Sequence, residues 1–266
     1  MRKRTSKRRN SAAHTSSLYS VELLPVPGLP EFEEGDDLAG EIIGAMKKAR
    51  MRFVDGDVLV IAQKIISKSE GSTVQLALIT PSSRARELGV KLKKDPRFVE
   101  VILRETRRVV RSEPVLIVET QHGFVCANAG VDHSNVPGSE AVTVLPRDPD
   151  GSARRIAGAV HKRTAKRVAV IIIDTFGRPW RLGLTNVAIG AAGVPVLLDL
   201  RGTPDRDGKP LQATVLAVAD ELAAAAGLLM GKPDGIPVVI IRGYRYRPAS
   251  QPAACIIRPA AEDLFR

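Results

Sequence analysis

The sequence predicts an α+β fold, in which mixed or antiparallel sheets pack against helices. Residues 58–62 and 167–174 are short, apolar, β-branched runs typical of buried strands. Residues 214–230 are rich in alanine and carry Asp220 and Glu221, as a helix would. These signals do not alternate as regular strand–helix–strand units, and no repeat occurs. With 266 residues, of which 44% are hydrophobic, the chain can form one large domain or two small ones.

The positive charge is concentrated at the amino terminus. The net charge is +11, and six basic residues stand among the first nine. No apolar stretch follows them, so residues 1–17 lack the hydrophobic core of a signal peptide, and we expect the Arg8-Arg9 pair to belong to a solvated extension rather than to a twin-arginine signal. We predict that 1–17 is a disordered basic tail, that 18–247 is the folded domain and that 248–266 is a carboxyl-terminal extension.

Three further observations limit the function class. No run approaches the ~18 apolar residues that a membrane helix needs. Cys126 and Cys255 are far apart and have no partners at metal-ligand spacing, so neither a disulfide framework nor a zinc site is indicated. Aromatic residues make up only 4% and no recognition motif interleaves them with basic residues, so nucleic-acid binding is a remote alternative despite a pI of about 10.0. We expect a cytoplasmic protein without a membrane partner.

Strand, turn and helix signals follow one another through the first sixty residues. A strand at 20–25 enters a turn at 25–30, whose prolines and glycine exclude a helix and where a ligand could approach the backbone. Asp36 and Asp37 mark the start of a helix, because carboxylates favour its positive end. The apolar run 58–62 is the first buried strand.

The later elements are assigned in the same way. Charged and apolar positions alternate over 82–112, which predicts helices broken near Asp95-Pro96. We further predict a hairpin of strands 115–119 and 124–128, a basic amphipathic helix at 152–167, a strand at 167–174 that carries Asp174 and Thr175 to its carboxyl end, and a helix at 214–230 that ends at Gly231. The polar stretch 147–152 is either a boundary between two lobes or a long loop within one domain.

The most informative candidate site follows the strand at 167–174. Asp174 and Thr175 supply a carboxylate and a hydroxyl, and Arg178 and Arg181 follow them closely. Such a set can hold magnesium and a phosphate group together. The alternative is a helix cap beside a surface arginine pair. The order Asp-Thr-Phe-Gly, without a kinase glycine-rich loop or catalytic loop, excludes a kinase.

The loop at 128–135 is a second candidate. Asp132 could bind a hard cation, which prefers oxygen ligands, or it could cap its own backbone in an Asx-turn. His122 and His133 are either acid–base groups or loop residues that make hydrogen bonds, and no nucleophile motif accompanies them.

Lys64 and Lys68 are a third candidate, because residues four apart share one face of a helix. Either lysine could reach a phosphate, and the alternative is a solvated charge run. The chain contains neither a Walker loop nor a glycine-rich dinucleotide motif, so nucleotide binding would need another kind of site.

Taken in order, several segments resemble the coenzyme F-420-0:L-glutamate ligase family. They are residues 27–31, 35–38, 64–71, 122–135, 174–181, 187–190 and 217–222. The resemblance covers nearly all of 20–247, and the segments 128–132 and 174–178 are its most specific parts. It implies a gamma-glutamyl ligase-like fold and an intertwined homodimer. Some members of that family carry a flavin-binding domain after the ligase domain. Because 248–266 is too short for such a domain, we expect a stand-alone ligase.

The resemblance also implies a reaction and a set of site residues. GTP would phosphorylate the carboxylate of coenzyme F-420-0, and the amine of L-glutamate would attack the acyl phosphate, giving a gamma-linked glutamyl tail. The implied cofactors are Mg²⁺ or Mn²⁺ and a K⁺ ion. The implied metal ligands are Asp132, Asp174 and Thr175, and the implied GTP contacts are Gly28, Leu29, Pro30, Glu31, Gln63, Lys68 and Asn135. We add Arg178 to Asp174 as a catalytic candidate, on its charge alone.

One position departs from the family pattern. Lys232 stands where an acidic or amide residue is expected after Met230-Gly231, and a charged lysine cannot ligate magnesium. The alternative function is an ATP- or GTP-dependent carboxylate–amine ligase that acts on a different acid.

Overall fold

The computed structural model describes residues 19–133, 140–231 and 235–263. The predicted tail at 1–17, Asn135 and Lys232 lie outside the described residues, so the predictions made for them stay predictions. No helix within the described ranges is long and apolar enough to cross a membrane.

The described residues form twelve strands and six α-helices, in a mixed arrangement that confirms the α+β prediction. The strands are β1 (Glu22–Pro25), β2 (Val58–Ala62), β3 (Thr73–Gln75), β4 (Thr106–Arg111), β5 (Ile117–Thr120), β6 (Val125–Ala127), β7 (Ala141–Thr143), β8 (Ala169–Arg178), β9 (Arg181–Ala192), β10 (Leu198–Asp199), β11 (Val215–Leu216) and β12 (Val238–Arg242). The helices are α1 (Leu38–Lys48), α2 (Gln63–Ser69), α3 (Ser83–Leu92), α4 (Pro96–Arg104), α5 (Pro149–Thr164) and α6 (Val218–Gly227).

A five-stranded sheet in the order β1-β12-β2-β8-β9 forms the centre of the protein. Its strands β2 and β8 are parallel and the other pairs are antiparallel. Successive residues of a strand point to opposite faces, so Leu59 and Ile61 pack with α1 and α5, whereas Val58 and Val60 pack with α6. Because helices cover both faces, β2 is apolar throughout rather than alternating.

Residues from 74–131 and 142–144 build a separate apolar cluster around α3, α4 and the three-stranded sheet β4-β5-β6. Phe98 and Ile102 of α4 lie in this cluster, together with Val118 of β5. The stretch 147–152 follows directly and contains the start of α5, where Asp148 accepts a hydrogen bond from the backbone N–H of Gly151 at 2.8 Å. The predicted lobe boundary at 147–152 stays a prediction.

The structure corrects three element predictions. Residues 106–111 are the strand β4 and not helix; β-branched Thr106, Val109 and Val110 fit a sheet, and the arginines between them pair with Glu119 across the strands. Residues 215–216 are the strand β11, and α6 ends at Gly227, so Gly231 is not its cap.

The third correction concerns the strand β8, which does not end at Asp174. It continues to Arg178, beyond the last residue pair that it shares with β2, Ala62 with Ile173. From there it pairs only with β9. Residues 176–185 of this hairpin, here called the arm, therefore project beyond the central sheet.

Candidate active site

A cavity of about 270 Å³ opens at the edge where β2 ends and the arm leaves the sheet. It gathers residues from segments that are far apart in sequence. Eight predicted site residues line it: Leu29, Pro30, Glu31, Gln63, Lys68, Asp132, Asp174 and Thr175. Predicted nucleotide contacts and predicted metal ligands therefore lie together.

Helix α2 supplies the basic side of the cavity. It starts directly after β2, so Gln63 is buried at 4% exposure, where its Oε1 accepts a hydrogen bond from Ser67 Oγ at 2.7 Å. Lys64 and Lys68 lie one turn apart on the same helix and both line the cavity, which confirms their shared face. The phosphate role proposed for them is compatible with this position.

Both lysines have carboxylate partners across the cavity. Lys64 Nζ lies 2.8 Å from Asp132 Oδ2, and Lys68 Nζ lies 2.6 Å from Glu31 Oε2. The Glu31 side chain is 73% exposed, and it follows the turn at Gly28, whose φ of 72° is readily adopted only by glycine. Gly28 itself shapes the turn and does not line the cavity.

The acidic side comes from the start of the hairpin β8–β9. Asp174 Oδ1 accepts a hydrogen bond from the backbone N–H of Thr175 at 2.8 Å. Thr175 Oγ1 donates to Asn186 Oδ1 at 3.0 Å, because the two residues are directly opposite in the hairpin. The donated hydrogen points towards Asn186, so the hydroxyl lone pairs remain available to a cation.

Asn186 was not predicted. Its sequence signal is an amide directly before the apolar residues 187–189, but its place opposite Thr175 depends on the hairpin register. Gly227, at the end of α6, makes room for it: a β-carbon at Gly227 would overlap the Asn186 amide nitrogen. Met230 and Gly231 complete this wall of the cavity.

Cys126 is buried near this site but is not a candidate ligand. Burial, reinforced by the negative charge of Asp174, raises the pKa of its thiol to about 12. The thiolate that a nucleophile or a soft metal would need is therefore scarce at neutral pH.

Arg178 is not brought into the cavity. It lies at the end of the arm, opposite Arg181, where both side chains are exposed. Arg178 is four positions further along the strand than Asp174, which corresponds to about 13 Å.

The two histidines also lie outside the cavity. His122 lines a neighbouring surface, and its Nε2 lies 2.9 Å from the carbonyl oxygen of Pro146, as the loop interpretation expects. His133 stacks on Phe98 with ring centroids 4.2 Å apart.

The comparison with known proteins places this arrangement in a family. The family model of F-420-0:gamma-glutamyl ligase matches residues 28–243, which include every described residue that lines the cavity. This chain belongs to the F-420-0:gamma-glutamyl ligase family.

Curated members of the F-420-0:gamma-glutamyl ligase family align with almost the whole chain. The coenzyme F-420:L-glutamate ligase of Methanothermobacter thermautotrophicus is 45% identical over 250 residues, covering 92% of this chain and 99% of the relative. The enzyme of the same name from Methanocaldococcus jannaschii is 44% identical, covering 90% of this chain and 94% of its own. The enzyme of the same name from Archaeoglobus fulgidus is 46% identical, covering 92% of this chain and 96% of its own.

The donor atoms of this ligase-family cavity suit a hard divalent cation. No group of three or more His, Cys, Asp or Glu residues that could hold a metal occurs among the described residues. Besides Glu31, which pairs with Lys68, the cavity offers the carboxylates of Asp132 and Asp174 and the neutral oxygens of Thr175 and Asn186. Magnesium commonly binds one or two carboxylates and completes its shell with water and substrate phosphate, so the residues present fit it.

Proposed function

We propose that this chain joins L-glutamate to the carboxylate of coenzyme F-420-0, with GTP as the energy source. The observation that carries the proposal is the convergence of Asp132, Asp174 and Thr175 with Lys64 and Lys68 in one cavity. Oxygen ligands for a cation thus face two ammonium groups suited to phosphate. The ligase names of relatives at 44–46% identity support the substrate assignment.

In this proposal the nucleotide phosphates lie along α2. Lys64 and Lys68 would bind phosphate oxygens, and the exposed turn at 28–31 would contact the rest of the nucleotide. Gln63 is buried and fixed by Ser67, so it presents a rigid amide to this side of the cavity.

The acidic side would hold Mg²⁺ or Mn²⁺ through Asp174, Thr175 and Asp132. When bound, such an ion would neutralise phosphate charge and favour phosphoryl transfer. Asn186 would keep the Thr175 hydroxyl oriented, because it accepts that hydrogen at 3.0 Å.

The reaction we propose has two steps. A carboxylate oxygen of the coenzyme forms a bond to the γ-phosphorus of GTP, and GDP leaves. The amine of L-glutamate then attacks the acyl carbon, phosphate leaves and the amine loses a proton. In both steps Lys64 and Lys68 would stabilise the negative charge on phosphate oxygens.

We also propose that the protein is a homodimer in which the arm packs against a second copy. The arm exposes three large apolar side chains, Trp180 at 86%, Leu182 at 99% and Leu184 at 64%. Such a patch is unusual on a free surface and is typical of an interface. Light scattering tests this: we expect a dimer for the native chain and a monomer for Leu182→Glu, and a monomeric native chain would contradict it.

The test of function is mass spectrometry after incubation with coenzyme F-420-0, L-glutamate, GTP and Mg²⁺ or Mn²⁺, with and without K⁺. We expect a product heavier by one or more glutamyl units and release of GDP. Parallel reactions with ATP test the nucleotide. Absence of product with every metal and either nucleotide would contradict the assignment and favour a ligase for a different acid.

A further inference from the structure

A second cavity, of about 360 Å³, lies on the other side of Asp132. Asp132 lines both cavities, so a ligand in one is next to a ligand in the other. The second cavity is formed by Lys94 and Phe98 on one side and by Asn128 and His133 on the other. Neither the family resemblance nor the proposed metal and nucleotide sites assigns a role to Lys94.

Lys94 differs from the other lysines at the site in having an amide partner. Its Nζ donates to Asn128 Oδ1 at 2.8 Å and lies 5.4 Å from the centre of the Phe98 ring. No Lys94 ion pair occurs among the described residues. Lys64 and Lys68, in contrast, are each paired with a carboxylate.

Asp95 also lines the second cavity, but its carboxylate is already paired. Both of its carboxylate oxygens accept hydrogen bonds from Arg97, at 2.7 to 3.2 Å. Burial lowers the pKa of Lys94, the effect expected of an ammonium whose lost hydration is not replaced by a negative charge. A carboxylate ligand would supply that charge.

We propose that Lys94 and Asn128 bind a carboxylate of the incoming L-glutamate. Asn128 Oδ1 accepts from Lys94, so the Asn128 amide N–H groups are left to donate to the same carboxylate. Glutamate held there would bring its amine to the Asp132 side, next to the cavity where the acyl phosphate forms. This inference rests on the proposed function and makes Lys94 a residue that selects an acidic amine substrate.

The test compares Lys94→Gln with Lys93→Gln. Both changes remove one positive charge, but Lys93 is exposed and does not line the cavity. Steady-state kinetics are measured separately for L-glutamate, GTP and coenzyme F-420-0. We expect Lys94→Gln to raise KM for L-glutamate at least about tenfold, because a hydrogen bond to a charged group is lost. KM for GTP and the coenzyme should change less than about twofold, and Lys93→Gln should match the native chain.

Further variants keep the inference testable. Lys94→Arg retains the cation and should recover most of the glutamate affinity. If Lys94→Gln does not fold, Asn128→Gly replaces it, because glycine tolerates the φ of 53° at this position.

The outcomes separate this inference from the proposed function. An inactive native chain contradicts the proposed function. An active native chain with an unchanged glutamate KM in Lys94→Gln overturns the inference alone. If Lys94→Gln raises KM for coenzyme F-420-0 and not for L-glutamate, the inference is also overturned, and the second cavity is assigned to the carboxylate of the coenzyme.

Discussion

Replacing Gly227 by alanine should impair the site and leave the fold intact. The added methyl group would overlap the amide nitrogen of Asn186. Because that amide is at the end of a rotatable side chain, it would turn aside and break the 3.0 Å hydrogen bond from Thr175.

The expected effect on stability is small because two contributions oppose each other. Loss of one hydrogen bond costs about 0.5–1.5 kcal/mol. Alanine in place of glycine favours a helix by up to about 1 kcal/mol. The melting temperature should therefore shift by less than about 4 °C.

The expected effect on catalysis is larger. A misoriented Thr175 would lose a contact to a charged group, which is worth about 1.5–3 kcal/mol, so kcat/KM should fall about 10- to 100-fold. Gly158→Ala is the matched control, because a β-carbon at this position of α5 meets no atom within 4 Å. If Gly227→Ala and Gly158→Ala had the same kcat/KM, the role assigned to Asn186 would be refuted.

Three further predictions concern single residues. Asp174→Asn should lower turnover at least about 100-fold with an unchanged melting temperature, because it removes metal-binding charge without changing side-chain size; product formation and thermal melting measure the two effects. Asp37→Ala should reduce the free energy of unfolding at pH 7 by about 1 kcal/mol, through loss of the α1 cap. The hydrogen bond from Arg163 lowers the pKa of Asp37, so the charged carboxylate contributes its full stabilisation above about pH 4 and loses it as the pH falls through the pKa of the folded state. Urea unfolding at pH 7 and at acidic pH should therefore show a difference in stability between the native chain and Asp37→Ala that shrinks at acidic pH. Asp57→Ala should reduce the free energy of unfolding by about 3 kcal/mol, because the fully buried Asp57 carboxylate accepts two hydrogen bonds from Arg242. In the same unfolding assay, the double variant Asp57→Ala, Arg242→Met should recover part of that loss.

Each of these results has a contradicting outcome. Full activity of Asp174→Asn would remove that residue from the metal site. A stability difference at Asp37 that stays constant with pH would mean that its charge contributes nothing. If Asp57→Ala and the double variant with Arg242→Met lost the same free energy of unfolding, the unpaired charge of Arg242 would not be the cause of the loss.

The elements that patterns could predict are those whose environment is uniform along the strand or helix. The run 58–62 is apolar throughout because helices cover both faces of the sheet, and Asp37 caps α1 as its position indicated. The strand β4 was missed because its arginines pair across strands with Glu119, which lies eleven or twelve residues away and is invisible to local periodicity.

The site shows the same division. Asp174 and Thr175 were predictable because a polar pair ends an apolar run. Asn186 was not, because its place opposite Thr175 depends on a register shift in the hairpin between Ile172 and Ile173. A shift of one residue would turn Asn186 to the other face, and no local sequence signal fixes that choice.

The two ion pairs that span the site have a consequence for the order in which ligands bind. Lys64 with Asp132, and Lys68 with Glu31, neutralise one another, so the five charged residues of the described lining, which include Asp174, sum to one net negative charge. A nucleotide phosphate that takes Lys64 must displace Asp132, and the released carboxylate is then ready for a divalent ion. Uptake is thus an exchange of partners in which anion and cation each improve the other's affinity by the same factor. We expect the nucleotide and its metal to enter as one unit.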